Sequence, residues 1–136
     1  MILTLIVILA LAGLGWIRFA PSDPAFWHVD PMVTADQDLT GGVRRRLDGG
    51  AAKFAALHAL ILATPRTELL AGGPDDGRAT YVTRSRWMGF PDYTTVQATD
   101  ADLEIWARLR FGQSDMGVNK ARVDAWLAKL DLPEAS

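Results

Sequence analysis

Hydrophobic residues occur in three different patterns along the chain. The first seventeen residues, MILTLIVILALAGLGWI, contain no charged side chain. Residues 103–111 alternate between apolar and polar positions, which is the period of a half-buried strand. Apolar residues recur at helical spacing over 51–63 and 118–130. These patterns predict an N-terminal apolar helix followed by a small domain that contains both strands and helices.

The N-terminal run has the composition of a membrane span. Ten of its residues are Leu, Ile or Val, and each contributes about −0.3 to −0.6 kcal/mol at the centre of a span. Trp16 and Arg18 follow at its end, where an indole and a guanidinium suit the membrane interface. We therefore predict that residues 1–19 form an uncleaved transmembrane anchor in membrane lipid. The alternative is a signal peptide that is cleaved between Ala12 and Gly13.

The polar chain beyond the anchor divides into a linker and a domain. Prolines at positions 21, 24 and 31 predict an extended linker over residues 20–40. Residues 41–136 are long enough for one domain with its own core. No Lys or Arg lies between Arg18 and Arg44, so little opposes translocation of this stretch. We predict a single-pass protein of the bacterial inner (cytoplasmic) membrane, with its domain in the periplasm. The alternative is a cytoplasmic domain, which Arg18 on the C-terminal side of the span favours by itself.

The domain has the elements of an α+β fold. A helix is predicted over 51–63 and another over 118–130, and residues 43–47 are ambiguous between an edge strand and a turn. The remaining strands are predicted by β-branched, aromatic or alternating residues, at 67–71, 78–85, 93–99 and 103–111. The expected architecture is an antiparallel sheet of about four or five strands covered by two helices.

Composition excludes several classes of function. The net charge of −2 and a pI near 5.6 give no general attraction to nucleic acid. The chain has no cysteine, which excludes disulfides and Cys-ligated zinc. Its two histidines, His28 and His58, lack metal-ligand spacing, and no nucleophile elbow or phosphate-binding loop is present. We predict no catalytic residue, no metal and no cofactor.

Two motifs are specific enough to carry a resemblance. RSRWMGFPDY at 84–93 and RLRFGQSDMGVNKARV at 108–123 resemble the family described as domain of unknown function 1499. The similarity extends over roughly residues 40–131. Members of this family look like small, often membrane-anchored bacterial or organellar proteins. The resemblance implies the α+β domain and its anchor, and it assigns no activity.

The first candidate site is a sheet face that combines guanidiniums with an indole. Its members are Arg84, Arg86, Trp106, Arg108 and Arg110. Such a face could bind the carboxylate or phosphate of an anionic ligand or a lipid headgroup. The structural alternative, which we favour, is that these arginines pair with Asp92, Glu104 and Asp115 to lock the sheet to the last helix.

The second candidate site precedes the last helix. Its residues are Ser114, Asp115, Asn119 and Arg122. Exposed N–H groups at a helix N-terminus could hold an anion. The favoured alternative is that Ser114 or Asp115 caps the helix and Asn119 bonds a neighbouring loop.

The third candidate site is an apolar loop between two strands. Trp87, Met88 and Phe90 are costly to expose together. They are expected either to fill the domain's own core or to dock on a partner or membrane surface.

Taken together, these features predict a non-catalytic, membrane-anchored accessory subunit of a larger membrane protein complex. The alternative is a binding module for an anionic ligand or lipid headgroup that uses the Arg/Trp sheet face. An uncharacterised enzyme is the third hypothesis.

Overall fold

The computed structural model describes residues 1–131 as an apolar helix joined to an α+β head. The helices are α1 (Ile2–Phe19), α2 (Pro24–Trp27), α3 (Gly50–Leu62) and α4 (Val118–Leu130). The strands are β1 (Gln37–Leu39), β2 (Gly42–Asp48), β3 (Thr67–Gly73), β4 (Arg78–Arg84), β5 (Pro91–Ala98) and β6 (Asp102–Leu109). A short 3-10 helix, Pro74–Asp76, links β3 to β4.

The strands form one antiparallel sheet in the order β1-β2-β6-β5-β4-β3. The α+β class is confirmed, but the described sheet has six strands rather than four or five. The stretch that the sequence left ambiguous is β2, which is not an edge strand because it lies between β1 and β6. The additional strand, β1, has only three residues, too few for a periodic signal.

Both predicted helices cover one face of the sheet, where the core lies. The alternation in β6 sends Leu103, Ile105 and Ala107 into this core, fully buried. From α3 the predicted stripe of Phe54, Leu57 and Ile61 meets them, and α4 adds Val123 and Trp126. Local periodicity correctly placed these residues because a sheet face and a helix stripe must each bury their apolar side.

The opposite face of the sheet is covered by residues 20–34, which we call the strap. It lies within the extended linker predicted over residues 20–40, and the structure differs from that prediction in two respects. Pro24–Trp27 forms a helical turn capped by the Asp23 side chain, and the strap lies against the sheet rather than apart from it. Ala20 and Val33, near its two ends, are themselves buried.

Among the described residues, α1 is the one helix that is long and apolar enough to cross a membrane. It spans 18 residues with a mean hydropathy of 2.3, and none of it is buried in the molecule. By length and composition it is a membrane anchor or a signal sequence.

We expect Leu57→Ala in α3 to reduce the free energy of unfolding by about 2–5 kcal/mol, because it opens a cavity at a fully buried site. Leu62→Ala is the matched control. It removes the same atoms from an exposed position of the same helix, so its cost should stay below about 1 kcal/mol. Urea unfolding of the full chain in detergent measures both, and equal losses would contradict this description of the core.

Candidate functional site

The centre of the outer sheet face is a buried arginine. Arg108 is 7% exposed, although no carboxylate pairs with it within residues 1–131. Its Nη1 donates to Thr95 Oγ1 at 2.8 Å and to the Trp106 carbonyl at 3.1 Å, and its Nη2 donates to the Trp27 carbonyl at 2.6 Å. Burial, reinforced by the nearby positive charge of Arg44, lowers the pKa of Arg108 to about 10. The side chain therefore remains charged at neutral pH.

Indole rings take the place of a counter-ion around this charge. The guanidinium carbon of Arg108 lies 4.1 Å from the centre of the Trp106 ring and 5.5 Å from that of Trp27. Arg44 also contacts Trp106, at 4.4 Å. Trp27 in turn stacks on Tyr93 with ring centroids 3.8 Å apart. Cation–π contacts of this kind favour a desolvated guanidinium.

Other side chains fasten the strap along its length. Arg110 donates to the Pro21 carbonyl at 3.0 Å and to the Tyr93 hydroxyl at 3.1 Å, and the Tyr93 hydroxyl also bonds Ser22 at 2.6 Å. Further along, Nδ1 of His28 bonds Thr80 Oγ1 at 2.8 Å. At the far end, Arg44 donates to the Pro31 carbonyl at 3.1 Å.

The structure therefore differs from both interpretations of the arginine and tryptophan face. Arg108 and Arg110 do not present an open patch, because Arg108 is buried, Arg110 is half-buried and both donate to carbonyls of the strap. Nor do they pair with Asp92, Glu104 or Asp115, because their acceptors are chiefly backbone carbonyls of the strap and of β6. Sequence reasoning missed Trp27 and His28 as partners of this face, because nothing local indicates which strands they will meet.

The second candidate site connects β5 to α4. Arg122 pairs with Asp92 at 3.3 Å and donates to Asn119 Oδ1 at 3.0 Å. The Asn119 amide donates to Asp115 Oδ2 at 2.9 Å. Burial raises the pKa of Asp92 above its usual value, although the positive charge of Arg122 opposes the shift. This chain of polar contacts attaches α4 to the sheet.

The N-terminus of α4 is already occupied by a carboxylate of the chain itself. Asp115 accepts from the Gly117 and Asn119 backbone N–H groups, each at 3.0 Å. Gly117, the residue immediately before the helix, has φ of 79°, a left-handed conformation that glycine adopts without strain. Ser114 accepts from the Met116 N–H and does not cap the helix itself. An anion would therefore have to displace Asp115, which supports the capping interpretation.

A cavity of about 360 Å³ opens beside this network. Its walls include Phe90, Leu109, Phe111 and Val118, with the Asp92–Arg122 pair on one side. Met116 lies two residues from Val118 and is 93% exposed. We call this cavity of about 360 Å³ the motif cavity. Because it combines apolar walls with one ion pair, it suits an apolar side chain of a partner better than a free anion.

The third candidate site is a closed loop whose tip is exposed. Ser85 and Phe90 bond each other at its base, and the Gly89 N–H donates to the Ser85 carbonyl. At the tip, Trp87 is 81% exposed and Met88 is 44% exposed, whereas Phe90 is half-buried in the motif cavity. Of the two interpretations offered for this loop, filling the core does not describe Trp87. The large side chain at the tip points away from the core.

This loop lies against the C-terminal end of α1. Trp87 and Met88 border a cavity with Leu14, Gly15 and Phe19. Gly89 has φ of 71°, and a Cβ there would lie 3.2 Å from Cγ of Arg18. Arg84 and Arg86 belong to this region as well, because they line a separate cavity with Arg18 that includes neither Trp106 nor Arg108.

The described residues contain no cluster of three or more metal-ligating side chains. His58 bonds the hydroxyl of buried Tyr81 at 2.7 Å, as expected of a core histidine. Burial raises the pKa of Tyr81, so this hydroxyl is a neutral hydrogen-bonding group at physiological pH.

We expect Arg108→Met to release the strap while the sheet stays folded. The carbonyl of Trp27 and the hydroxyl of Thr95 would each lose a charged donor, at a cost of about 1–3 kcal/mol. Hydrogen exchange should accelerate in residues 20–34 and remain unchanged in β4 and β5. Arg45→Met is the matched control, because Arg45 bonds Asp124 of α4 and not the strap. Equal exchange in the strap of both variants would contradict this assignment.

Comparison with known proteins agrees with the resemblance carried by the two motifs. No curated protein matches the chain, and no solved structure matches it either. The model of the family described as "Protein of unknown function (DUF1499)" matches residues 32–130, which includes β1 to β6, α3 and α4. Since this match covers well over half of the chain, the protein is a member of the DUF1499 family.

Proposed function

We propose that this protein is a single-pass membrane protein whose head is held at the bilayer surface as a non-catalytic accessory subunit of a larger membrane protein complex. The observation that carries the proposal is the strap, which follows α1 directly and is fastened to the sheet by Arg108 and Arg110. A flexible linker would let the head rotate freely. A fastened strap gives the head a fixed position relative to the end of α1.

The exposed surface of α1 supports anchoring in lipid. Its side chains pack against nothing in the head over most of its length, and 18 residues at about 1.5 Å each approach the thickness of the hydrocarbon core. Trp16 and Phe19 are exposed in its last turns, at the level where aromatic side chains favour the headgroup region. Cleavage before Gly13 would leave both of these side chains in water.

The apolar loop of Trp87 and Met88 supports contact between the head and the membrane surface. Trp87 and Met88 lie beside Phe19, so they reach the membrane interface if α1 spans the bilayer. Trp and Met at such a level bury apolar area in the interface without entering the hydrocarbon centre.

The motif cavity supports binding to a protein subunit. Met116 is exposed two residues before Val118 of the cavity wall, and methionine and aromatic side chains are enriched at the centres of protein interfaces. The polar motif residues nearest to it, Asp115 and Asn119, are engaged in the fold. This arrangement favours a binding role over a catalytic one.

The location we propose is the bacterial inner membrane with the head in the periplasm. The strap contains aspartates and no Lys or Arg, so the positive-inside rule offers little resistance to its export beyond the single Arg18.

We expect the full chain to pellet with membranes, to resist a carbonate wash and to require detergent for extraction. Because the chain has no cysteine, Ala125→Cys on exposed α4 provides a single label site. A membrane-impermeant maleimide should label it in intact spheroplasts if the head is periplasmic. A mature chain that begins at Gly13, or one that is soluble without detergent, would refute the anchor. Protection of the label until lysis would refute the orientation.

We expect Met116→Asp to separate the protein from its partner subunit without releasing it from the membrane. Met116 has φ of 53°, a conformation that aspartate tolerates better than most residues, so the fold should be unaffected. Gentle detergent extraction followed by native mass measurement should give a large complex for the wild type and a smaller species for the variant. Ala125→Asp, which adds the same charge elsewhere on the exposed surface, is the control. A wild-type chain that is recovered alone would refute the accessory role.

A further inference from the structure

We infer that a cavity beside the end of α1 binds the phosphate of an anionic phospholipid headgroup. This inference rests on the proposed position of α1 in the membrane. The cavity has a volume of about 350 Å³. Four arginines from three separate segments of the chain line it: Arg18, Arg66, and the neighbouring Arg84 and Arg86. We call it the arginine cavity.

The arginines converge through the tertiary structure. Arg18 belongs to the last turn of α1, Arg66 immediately precedes β3, Arg84 ends β4, and Arg86 lies in the loop that follows. Within residues 1–131, none of the four forms an ion pair. Mutual repulsion among these guanidiniums disfavours their convergence, and a bound anion would relieve it.

Two of the arginines are held in place by the backbone. Arg66 Nε donates to the Arg84 carbonyl at 3.0 Å, and Arg84 Nη1 donates to the Gly89 carbonyl at 3.0 Å. Each of these contacts uses one of the five N–H donors of a guanidinium, so most donors stay available to a ligand. The backbone of Arg66 also adopts φ of 57°, which is a strained conformation for a residue other than glycine. Donors that are positioned before binding lower the entropic cost of holding a phosphate.

The level of the cavity relative to the proposed membrane span favours a lipid over a free phosphate. Arg18 and the exposed Trp16 mark the end of the proposed span, and lipid phosphates lie at that level. The remaining walls are partly apolar, with Leu69, Leu70 and Val82 beside the arginines. A free phosphate has no apolar surface that could pack against these walls. A phospholipid carries its phosphate next to apolar glycerol and acyl carbons, which can.

The cavity also contains one carboxylate. Glu68 lines the same cavity, which keeps a clear excess of positive charge, four arginines against one glutamate. Its oxygens provide acceptors that the arginines cannot supply. A phosphoglycerol headgroup matches this pairing, because its phosphate accepts from guanidiniums while its hydroxyl groups can donate to Glu68.

The test uses the full chain purified in detergent and native mass spectrometry with added phosphatidylglycerol or phosphatidylcholine of the same acyl chains. The wild type should retain phosphatidylglycerol preferentially. Arg18→Gln combined with Arg86→Gln removes two cavity charges, and neither side chain makes a hydrogen bond among the described residues, so the fold should be kept. Each lost arginine should weaken retention about fivefold, and both together about 25-fold.

Lys120→Gln combined with Lys129→Gln is the matched control, because it removes the same charge from exposed α4. It should leave retention unchanged. Equal retention of both lipids by the wild type, or an equal loss in the control, would refute the inference. Displacement of phosphatidylglycerol by millimolar inorganic phosphate would also refute it, by indicating a site for free phosphate. A chain that is soluble without detergent would instead refute the membrane anchor, so the two failures are distinguishable.

Discussion

The structure depends on a positive charge buried without a carboxylate. Burying an unpaired guanidinium is costly unless hydrogen bonds and polarisable surfaces replace the lost water. At Arg108 this replacement comes from the Trp27 carbonyl, the Thr95 hydroxyl and the faces of two indoles. Two of those groups, the carbonyl and the indole of Trp27, belong to the strap. The charge therefore couples the sheet to the chain that leaves α1, because moving the strap away would remove both an acceptor and an indole.

This coupling explains how a small head can be oriented without a large interface to α1. The strap fastens one face of the sheet, and the loop with Trp87 lies beside the last turns of α1. Two attachments at different points restrict rotation more than one would. In our proposal, the arginine cavity consequently lies at the level of lipid phosphates, whereas the motif cavity is available to a protein partner.

In this chain the polar motif residues serve chiefly to hold these parts together. Arg108 and Arg110 fasten the strap, and Arg122 joins α4 to β5 through Asp92. Asp115 closes the N-terminus of α4. Residues that look like a binding constellation in the sequence are therefore largely internal contacts, and the surfaces left for ligands lie beside them. Polar residues that satisfy buried groups are as constrained by chemistry as those of a binding site.

The sequence alone determined the apolar helix, the two core helices and the four clearest strands. These follow from local periodicity, as the alternation of Leu103, Ile105 and Ala107 and the spacing of Phe54, Leu57 and Ile61 illustrate. Only the tertiary structure decided the partners of the arginines. Arg18 and Arg66 meet Arg84 through contacts between distant segments, and Arg108 finds the carbonyl of Trp27. A guanidinium can donate to many different acceptors. Strand register and chain path decide which acceptors lie within reach, and no local pattern encodes either of them.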